Sequence, residues 1–322
     1  MNSTCAKQDL ITLALQSGFS RVRVLAPFLP SEGADARMRG KGYGEGAPSA
    51  LVIALPYGND ADNKSLDEDS TRPDNAQLAR LDVFSRRNYY AETVARLKMI
   101  ARAARERFGG QRSDYRILCN SPIPEKPLAA ACGLGTIGRN TLVITPEAGS
   151  LVVIGILTLP FALSGDGPIE DGDPCAACAA CVAACPTGAL AETGGDQRTL
   201  DRKRCIQWYA SRPGAIPGEI SAKWEDRLYG CSICRDVCPA NKKRIHGTET
   251  ERGVLPPAFE AKKLIEASDE ELSALFKGTA LGMSWLGPAA IRRNAALAAS
   301  RYPKGDFKKL QFFEVNQILR AP

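Results

Sequence analysis

The chain has 322 residues, 44% hydrophobic, 24% charged and 7% aromatic, which gives room for two or three domains and at least one sizeable core. No apolar run reaches the roughly 20 residues of a membrane-spanning helix; the longest, LVVIGILTLPFAL from Leu151, is interrupted by Pro160. A formal charge of +6 marks a mildly basic surface that argues neither for nor against a nucleic-acid partner, and the single histidine, His246, tells against zinc sites built on His pairs and against Ser-His-Asp hydrolysis.

The N-terminal MNSTCAKQDLITLAL lacks the basic start and small-residue cleavage site of a secretory signal, so a cytoplasmic protein without a membrane partner is expected. The first ~165 residues read as α/β. A helix near Lys7 to Gln16 precedes the strand-like RVRVLAP (21–27), and SALVIALPYG (49–58) reads as a buried strand ended by turn residues. The polar YGNDADNKSLDEDSTRPDN then reads as a surface loop. YYAETVARLKMIARAARERF, from Tyr89, has apolar residues at helical spacing and a basic outer face. YRILC is a short strand, the prolines of NSPIPEKP hold that segment extended, and TLVIT and SLVVIGILTL are two further strands. SGDGPIEDGDP, from Ser164, reads as a linker into a cysteine-rich segment running from Cys175 to about Asn241. The last part is helical: SDEELSALF opens on a capping box at Ser268 and Glu271, and PAAIRRNAALAAS supplies a helix from about Pro288. The expectation is an α+β chain of three parts, an α/β domain at 1–165, a ferredoxin-like module at 166–250 and a short helical region at 251–322.

Eleven cysteines in a reducing compartment stay free for metal or catalysis. Cys175-x2-Cys178-x2-Cys181-x3-Cys185-Pro is followed by Cys231-x2-Cys234-x3-Cys238-Pro. Spacings of two aim thiolates at one cubane cluster, and the cysteine before each proline is directed to the other cluster. Two neighbouring [4Fe-4S] clusters are therefore expected, one on Cys175, Cys178, Cys181 and Cys238, the other on Cys185, Cys231 and Cys234. Cys205, in DRKRCIQWY, is the remaining cysteine of the segment and is assigned as the fourth ligand of the second set. The alanines between the first four cysteines suit a loop wrapped tightly round a cluster. The alternative is two zinc sites of four cysteines each, but zinc ribbons seldom show three cysteines in seven residues followed by Cys-Pro.

GLGTIG, from Gly133 to Gly138, matches the G-x-G-x-x-G of dinucleotide-binding folds. Its context does not fit: no convincing strand precedes it, TLVIT follows where a helix is needed, and no acidic residue stands at the distance for a ribose.

CNSPIPEKPLAAACGLGTIGRNTLVITPEAGS, the cysteine-rich segment, CIQWYASRPGAIP and YGCSICRDVCPAN together resemble the epoxyqueuosine reductases, from about Phe84 to Asn241, with RRNAALA near 292 as a weaker echo. That resemblance implies a cobalamin-dependent iron-sulfur reductase related to the reductive dehalogenases. It implies a cobalamin held between the N-terminal domain and the ferredoxin module, lined by Gly133, Gly135, Gly138, Asn140, Val143, Ile154, Gln207 and Ser232. One cluster would reduce the cobalt and the other relay electrons from an external one-electron donor of flavodoxin or ferredoxin type, for reduction of an epoxide in a tRNA nucleoside. The chain departs from the family at its chemical end. Cys119 falls where the family has its proton-donating aspartate, Asn88 stands within an expected RDY whose Arg87 and Tyr89 match, and the chain ends at 322 where family members continue into helical repeats that grip tRNA. Cys119 is accordingly the candidate catalytic residue, with a thiol weaker as an acid than a carboxyl; the alternative is a small buried residue closing YRILC.

The expectation is a cobalamin-dependent, two-cluster reductase acting on epoxyqueuosine in tRNA or, as a paralogue, on another small substrate; the alternatives are an electron carrier that activates a different corrinoid protein and a nucleic-acid-binding module with structural clusters. Cys132 beside the glycine loop reads as buried packing, Cys5 as incidental, and KKRIH as a solvated face or a phosphate contact. Glu125 either orients the cofactor or pairs with a nearby base, and Trp208 and Tyr209 either stack on a base or the corrin or cover a cluster.

Overall fold

The computed structural model describes residues 3–29, 46–58, 77–170, 172–190, 198–242 and 247–301; the polar stretch at 59–75, and His246 with most of its basic run, lie outside the described residues. In chain order the elements are α1 (Ser3–Gln16), β1 (Arg21–Leu25), β2 (Ser49–Pro56), β3 (Leu78–Leu81), α2 (Tyr89–Phe108), β4 (Ile117–Leu118), α3 (Glu125–Ala131), β5 (Thr136–Ile137), β6 (Val143–Ile144) and β7 (Val152–Leu159). They continue with α4 (Ala180–Ala184), α5 (Ile206–Ala210), α6 (Gly218–Ser221), β8 (Arg227–Tyr229), α7 (Ile233–Asp236), β9 (Ala258–Glu260), α8 (Ala261–Glu266), α9 (Asp269–Leu275) and α10 (Pro288–Ala299). The chain divides into two units: Met1–Tyr57, Tyr89–Ala179 and Val237–Glu249 form the first, and Gly58–Asn88, Ala180–Asp236 and Thr250–Pro322 the second. Among the described residues no helix is long and apolar enough to cross a membrane.

The first unit is built on an antiparallel sheet in the order β1-β2-β7-β4. Every residue of β2 is buried, because both faces of this strand are covered. Ala50, Val52 and Ala54 face a core made with Leu128, Ala129, Cys132 and Val143. On the other face Ile53 pairs with Gly155 of β7, and a side chain at Gly155 would meet Thr93 and Leu97 of α2. A continuous apolar strand follows from this double cover, as alternation marks only sheets with one wet face.

Three local expectations change. The helix expected from Lys7 begins at Ser3. TLVIT shortens to β6, which pairs back on β5 as a hairpin. NSPIPEKP is not extended throughout, since α3 starts at Glu125 and includes Pro127. Proline is tolerated in the first helical turn, where its missing N–H has no intrahelical acceptor.

The second unit has a three-stranded sheet in the order β8-β3-β9, with β3 parallel to β8 and antiparallel to β9. Its core joins Ala79 and Leu81 to Leu264, Leu272, Phe276, Ile291, Ala295 and Ala298. The capping box of α9 forms as expected: the Glu271 N–H donates to Ser268 Oγ at 3.1 Å and the Ser268 N–H to Glu271 Oε2 at 2.8 Å. The expected α10 is also present, with Pro288 in its first turn.

Candidate functional site

In the first unit Cys175, Cys178 and Cys238 come together. Burial pushes the Cys238 thiol up, and the neighbouring Cys175 and Cys178 raise it further. Cys175 and Cys238 pack with Ile144, and the Arg139 backbone N–H donates to Cys175 Sγ at 3.4 Å. Cys181, on the short α4, belongs to the second unit.

Cys185, Cys205, Cys231 and Cys234 all belong to the second unit. Burial pushes the Cys234 thiol up to about 12, with Cys231, Cys205, Cys181 and Cys185 each adding to the rise. Cys231 is raised by burial and, to a lesser degree, by Cys205 and Cys185, against the lowering influence of Arg227. At Cys185 burial also acts upward, but the Thr187 amide and hydroxyl and the amides of Leu190 and Ala189 bring the thiol below its usual range. The Ala189 N–H reaches Cys185 Sγ at 3.2 Å. Thiols that raise one another's pKa need a shared positive centre to deprotonate together, which an iron-sulfur core supplies. In donor chemistry, both sets fit a cluster. As they lie, no three His, Cys, Asp or Glu side chains among the described residues group closely enough to hold a single metal ion.

Cys119 follows directly on β4 and precedes Asn120, whose φ of 50° turns the chain. Asn is among the residues that best tolerate that left-handed conformation. The thiol is deeply enclosed: burial pushes it up to about 12, the Glu125 carboxylate adds to the rise, and the Thr93 hydroxyl takes a little back. Thr93 Oγ1 is a buried atom that otherwise lacks a hydrogen-bond partner. Glu125 Oε1 accepts the Ser121 N–H at 2.7 Å, and burial holds this carboxyl above its ordinary range despite that bond. A half-buried turn therefore carries two groups that both keep their protons longer than they would in water.

The glycine loop has a local explanation. Gly133, at φ 71°, ends α3: the Leu134 N–H donates to Ala129 O at 2.8 Å and the Gly133 N–H to Ala130 O at 3.0 Å, the paired bonds of a Schellman stop. A Cβ at Gly135 would lie 2.5 Å from Ile144 O, so the β5–β6 hairpin closes only on glycine there. A helix before and a hairpin after replace the strand and helix of a dinucleotide fold, as expected.

Of the residues expected to line a cobalamin, Gly133, Gly135, Gly138, Asn140, Val143 and Ile154 lie in the first unit, and Gln207 and Ser232 in the second. Asn140 Oδ1 accepts the Leu142 N–H at 3.1 Å, but its Nδ2 is buried and unpartnered among the described residues. Such an orphan donor fits a polar group of a bound cofactor. Gln207 and Ser232 are engaged within their own unit: Gln207 Oε1 accepts the Cys231 N–H at 3.1 Å, and the Ser232 hydroxyl donates to the Asp236 carboxylate. Trp208 is covered by guanidinium groups, with Arg212 Cζ 3.6 Å and Arg202 Cζ 5.1 Å from the ring centre.

Sequence reasoning missed two features. Arg235, beside Cys234, makes a forked buried pair with Asp82 at 2.8 and 3.0 Å, and Asp82 also accepts the Phe84 N–H. Arg293 and Asn294 of α10 bond the backbone that leads to and from the second thiol set. Both are long-range pairings of common residues, with no spacing to announce them.

Residues 174–241 match the family model of the 4Fe-4S double cluster binding domain. The epoxyqueuosine reductase of Escherichia coli (strain K12) is 36% identical over 188 residues, 57% of this chain and 47% of that protein, so the chain spans about half the length of that relative. The epoxyqueuosine reductase of Lactococcus garvieae (strain Lg2) is 30% identical over 272 residues, 82% of this chain and 72% of that protein. Among solved structures, an epoxyqueuosine reductase with an epoxyqueuosine-modified tRNA stem loop superposes with a TM-score of 0.69 at 25% identity, over 92% of this chain and 81% of that one. With nearly three quarters of the Lactococcus protein covered at that identity, this chain belongs to the epoxyqueuosine reductase family.

Proposed function

We propose that this protein is a cytoplasmic, cobalamin-dependent iron-sulfur reductase that converts epoxyqueuosine in tRNA to the alkene. The observation that carries this reading is that one chain holds two sets of mutually raised thiols and, upstream in the sequence, a turn of proton-retaining groups. Family membership and the tRNA stem loop bound by a structural neighbour support the substrate. In this reading Cys175, Cys178, Cys181 and Cys238 hold one cluster, and Cys185, Cys205, Cys231 and Cys234 the other. The organisation at 1–165, 166–250 and 251–322 follows these cofactors rather than the compact units.

Removing the epoxide oxygen takes two electrons and two protons and releases one water. Electrons arrive singly from an external flavodoxin- or ferredoxin-type donor. Cobalamin, when bound, supplies a cobalt centre reducing enough to open the epoxide. Asn140 Nδ2 and the β5–β6 hairpin would hold it. Cys119 keeps its proton through the neutral range and so serves as a proton holder rather than a nucleophile, and Glu125, on the same turn, is the acid that resupplies it.

One observation favours a second reading. A thiol held near 12 is a far weaker acid than the aspartic acid expected at this place, which suits a substrate needing less proton assistance than a tRNA epoxide. The test is anaerobic reconstitution with iron, sulfide and cobalamin, followed by turnover on epoxyqueuosine-containing tRNA with nucleosides read by mass spectrometry. Retained corrinoid and queuosine formation are expected. Corrinoid retention without queuosine moves the assignment to another substrate, and failure to retain corrinoid overturns the reductase reading.

A further inference from the structure

Arg292 and Arg293 are neighbours on α10 with different surroundings. The Arg292 guanidinium bonds the Asp269 carboxylate at 2.7 Å and the Ala267 carbonyl at 2.8 Å. Arg293 is 2% exposed, and no carboxylate among the described residues pairs with it. Its hydrogen bonds go to neutral acceptors: the Gly214 carbonyl, the Tyr209 carbonyl at 2.7 Å and Asn294 Oδ1 at 2.8 and 3.1 Å. Burial lowers its pKa to about 10, which leaves it a cation at neutral pH. A buried charge held only by dipoles is costly, and such sites are ordinarily completed by an opposite charge.

The backbone that Arg293 grips leads to the second thiol set. Tyr209 lies near the end of α5, whose N-cap is Cys205, and the Tyr209 N–H bonds Cys205 O. Four residues of helix rise only about 6 Å. The Asn294 amide donates to Ala210 O at 3.0 Å and to Leu228 O at 2.9 Å, tying α5 to the strand that runs into Cys231. Arg227, the cation that acts on Cys231, is paired with Glu225 at 2.6 Å. Among the described residues Arg293 is thus a buried cation of this region that no carboxylate answers.

We propose that Arg293 is the internal counter-charge of the cluster held by Cys185, Cys205, Cys231 and Cys234 and raises that cluster's reduction potential, while Asn294 keeps the guanidinium and the two ligand-bearing segments in register. This rests on the two-cluster reading above. A cubane with four thiolates carries about −2 and gains one more negative charge when it takes up one electron. A fixed cation held on the backbone of the ligand-bearing segments in a low-dielectric setting favours the more negative form. Arg293 is a positioning residue in this sense, acting on the cluster through charge and through α5.

The test is a redox titration of the full chain, reconstituted anaerobically and followed by electron paramagnetic resonance, with iron and sulfide content measured alongside. Parent protein holding fewer than two clusters would defeat the cofactor reading and this proposal with it, whereas the outcomes below defeat this proposal alone. With both clusters present, Arg293→Gln is expected to move one midpoint to more negative potential by at least a tenfold change in the reduced-to-oxidised ratio, about 59 mV for one electron, and to leave the other in place. Arg293→Lys is expected to restore the parent value. Unchanged potentials in Arg293→Gln, movement of both together, or an equal shift in Arg293→Lys would each overturn the proposal. If Arg293→Gln does not hold both clusters, Asn294→Asp decides: a carboxylate beside the guanidinium should lower the same midpoint, and no shift there overturns the proposal.

Discussion

The side-chain carbonyl of Gln207 accepts the backbone N–H of Cys231 at 3.1 Å, joining α5 to the loop that opens the second cysteine motif. Cys231 is half-buried, so its N–H has little water to turn to if the glutamine is shortened. Gln207→Ala should lower stability by about 1 kcal/mol, the usual worth of such a bond, and the reconstituted variant should lose one cluster's absorbance faster in air. Equal bleaching rates for parent and variant would remove Gln207 from the support of that loop.

The Asp82–Arg235 pair is buried on both sides, with side chains 6% and 8% exposed. Removing Asp82 leaves the buried Arg235 the exposed Asp236 carboxylate as its carboxylate partner, a loss that approaches that of a broken buried pair, about 3–5 kcal/mol. Asp82→Ala should therefore shift the denaturant midpoint far more than Asp236→Ala, whose carboxylate contacts Arg235 from an exposed position. Equal effects would show that the fork carries little of the stability.

Cys119 raises an acid–base prediction. Its folded pKa, about 12 against an ordinary thiol value of 9.0, is raised, so the folded state binds the proton more tightly than the unfolded chain. The resulting stability is present below pH ~9 and is lost as pH rises toward 12. Cys132 and Cys234 are raised too, so the test is a difference. Denaturant titrations between pH 8 and 11 should show a shallower decline in Cys119→Ala than in the parent. At pH 7.5 an alkylating reagent should label the exposed Cys5 first and leave Cys119 largely unmodified.

Interleaved ligation predicts a pattern of loss. Cys178→Ala and Cys185→Ala sit in one motif, yet each should abolish a different cluster and cut iron content by about half. Cys205→Ala should abolish the same signal as Cys185→Ala. Loss of a common signal from Cys178→Ala and Cys185→Ala would mean that the first motif serves a single cluster.

Much of the fold was legible because it rests on local chemistry. The apolar run of β2, the periodicity of α2 and the Ser268–Glu271 box each state their structure within a few residues. The cysteine spacings anticipate the neighbourhood of Cys175, Cys178 and Cys238 and that of Cys205, Cys231 and Cys234, but not that Cys181 acts on Cys234. What escaped was set by geometry between distant residues or by position within an element. The prolines of NSPIPEKP suggest an extended segment, but Pro127 sits in the first turn of α3, and nothing in GLGTIG announces Gly133 as the stop of that helix. Arg293 and Asn294 looked like ordinary helix residues, and only packing shows them reaching 84 and 66 residues back.

The return of Val237–Glu249 to the first unit has a consequence for how the protein is made. The Thr248 N–H bonds Pro56 O at 2.9 Å, and Asn241 Oδ1 accepts the Ser150 N–H at 2.7 Å. A growing chain leaves the ribosome from its N-terminus, so β2 emerges long before the residue that seals its end. Cys238 travels on the same late segment, and Cys175 and Cys178 wait for it through the synthesis of some sixty residues. In the proposed ligand set, iron delivered before that segment arrives would find an incomplete seat.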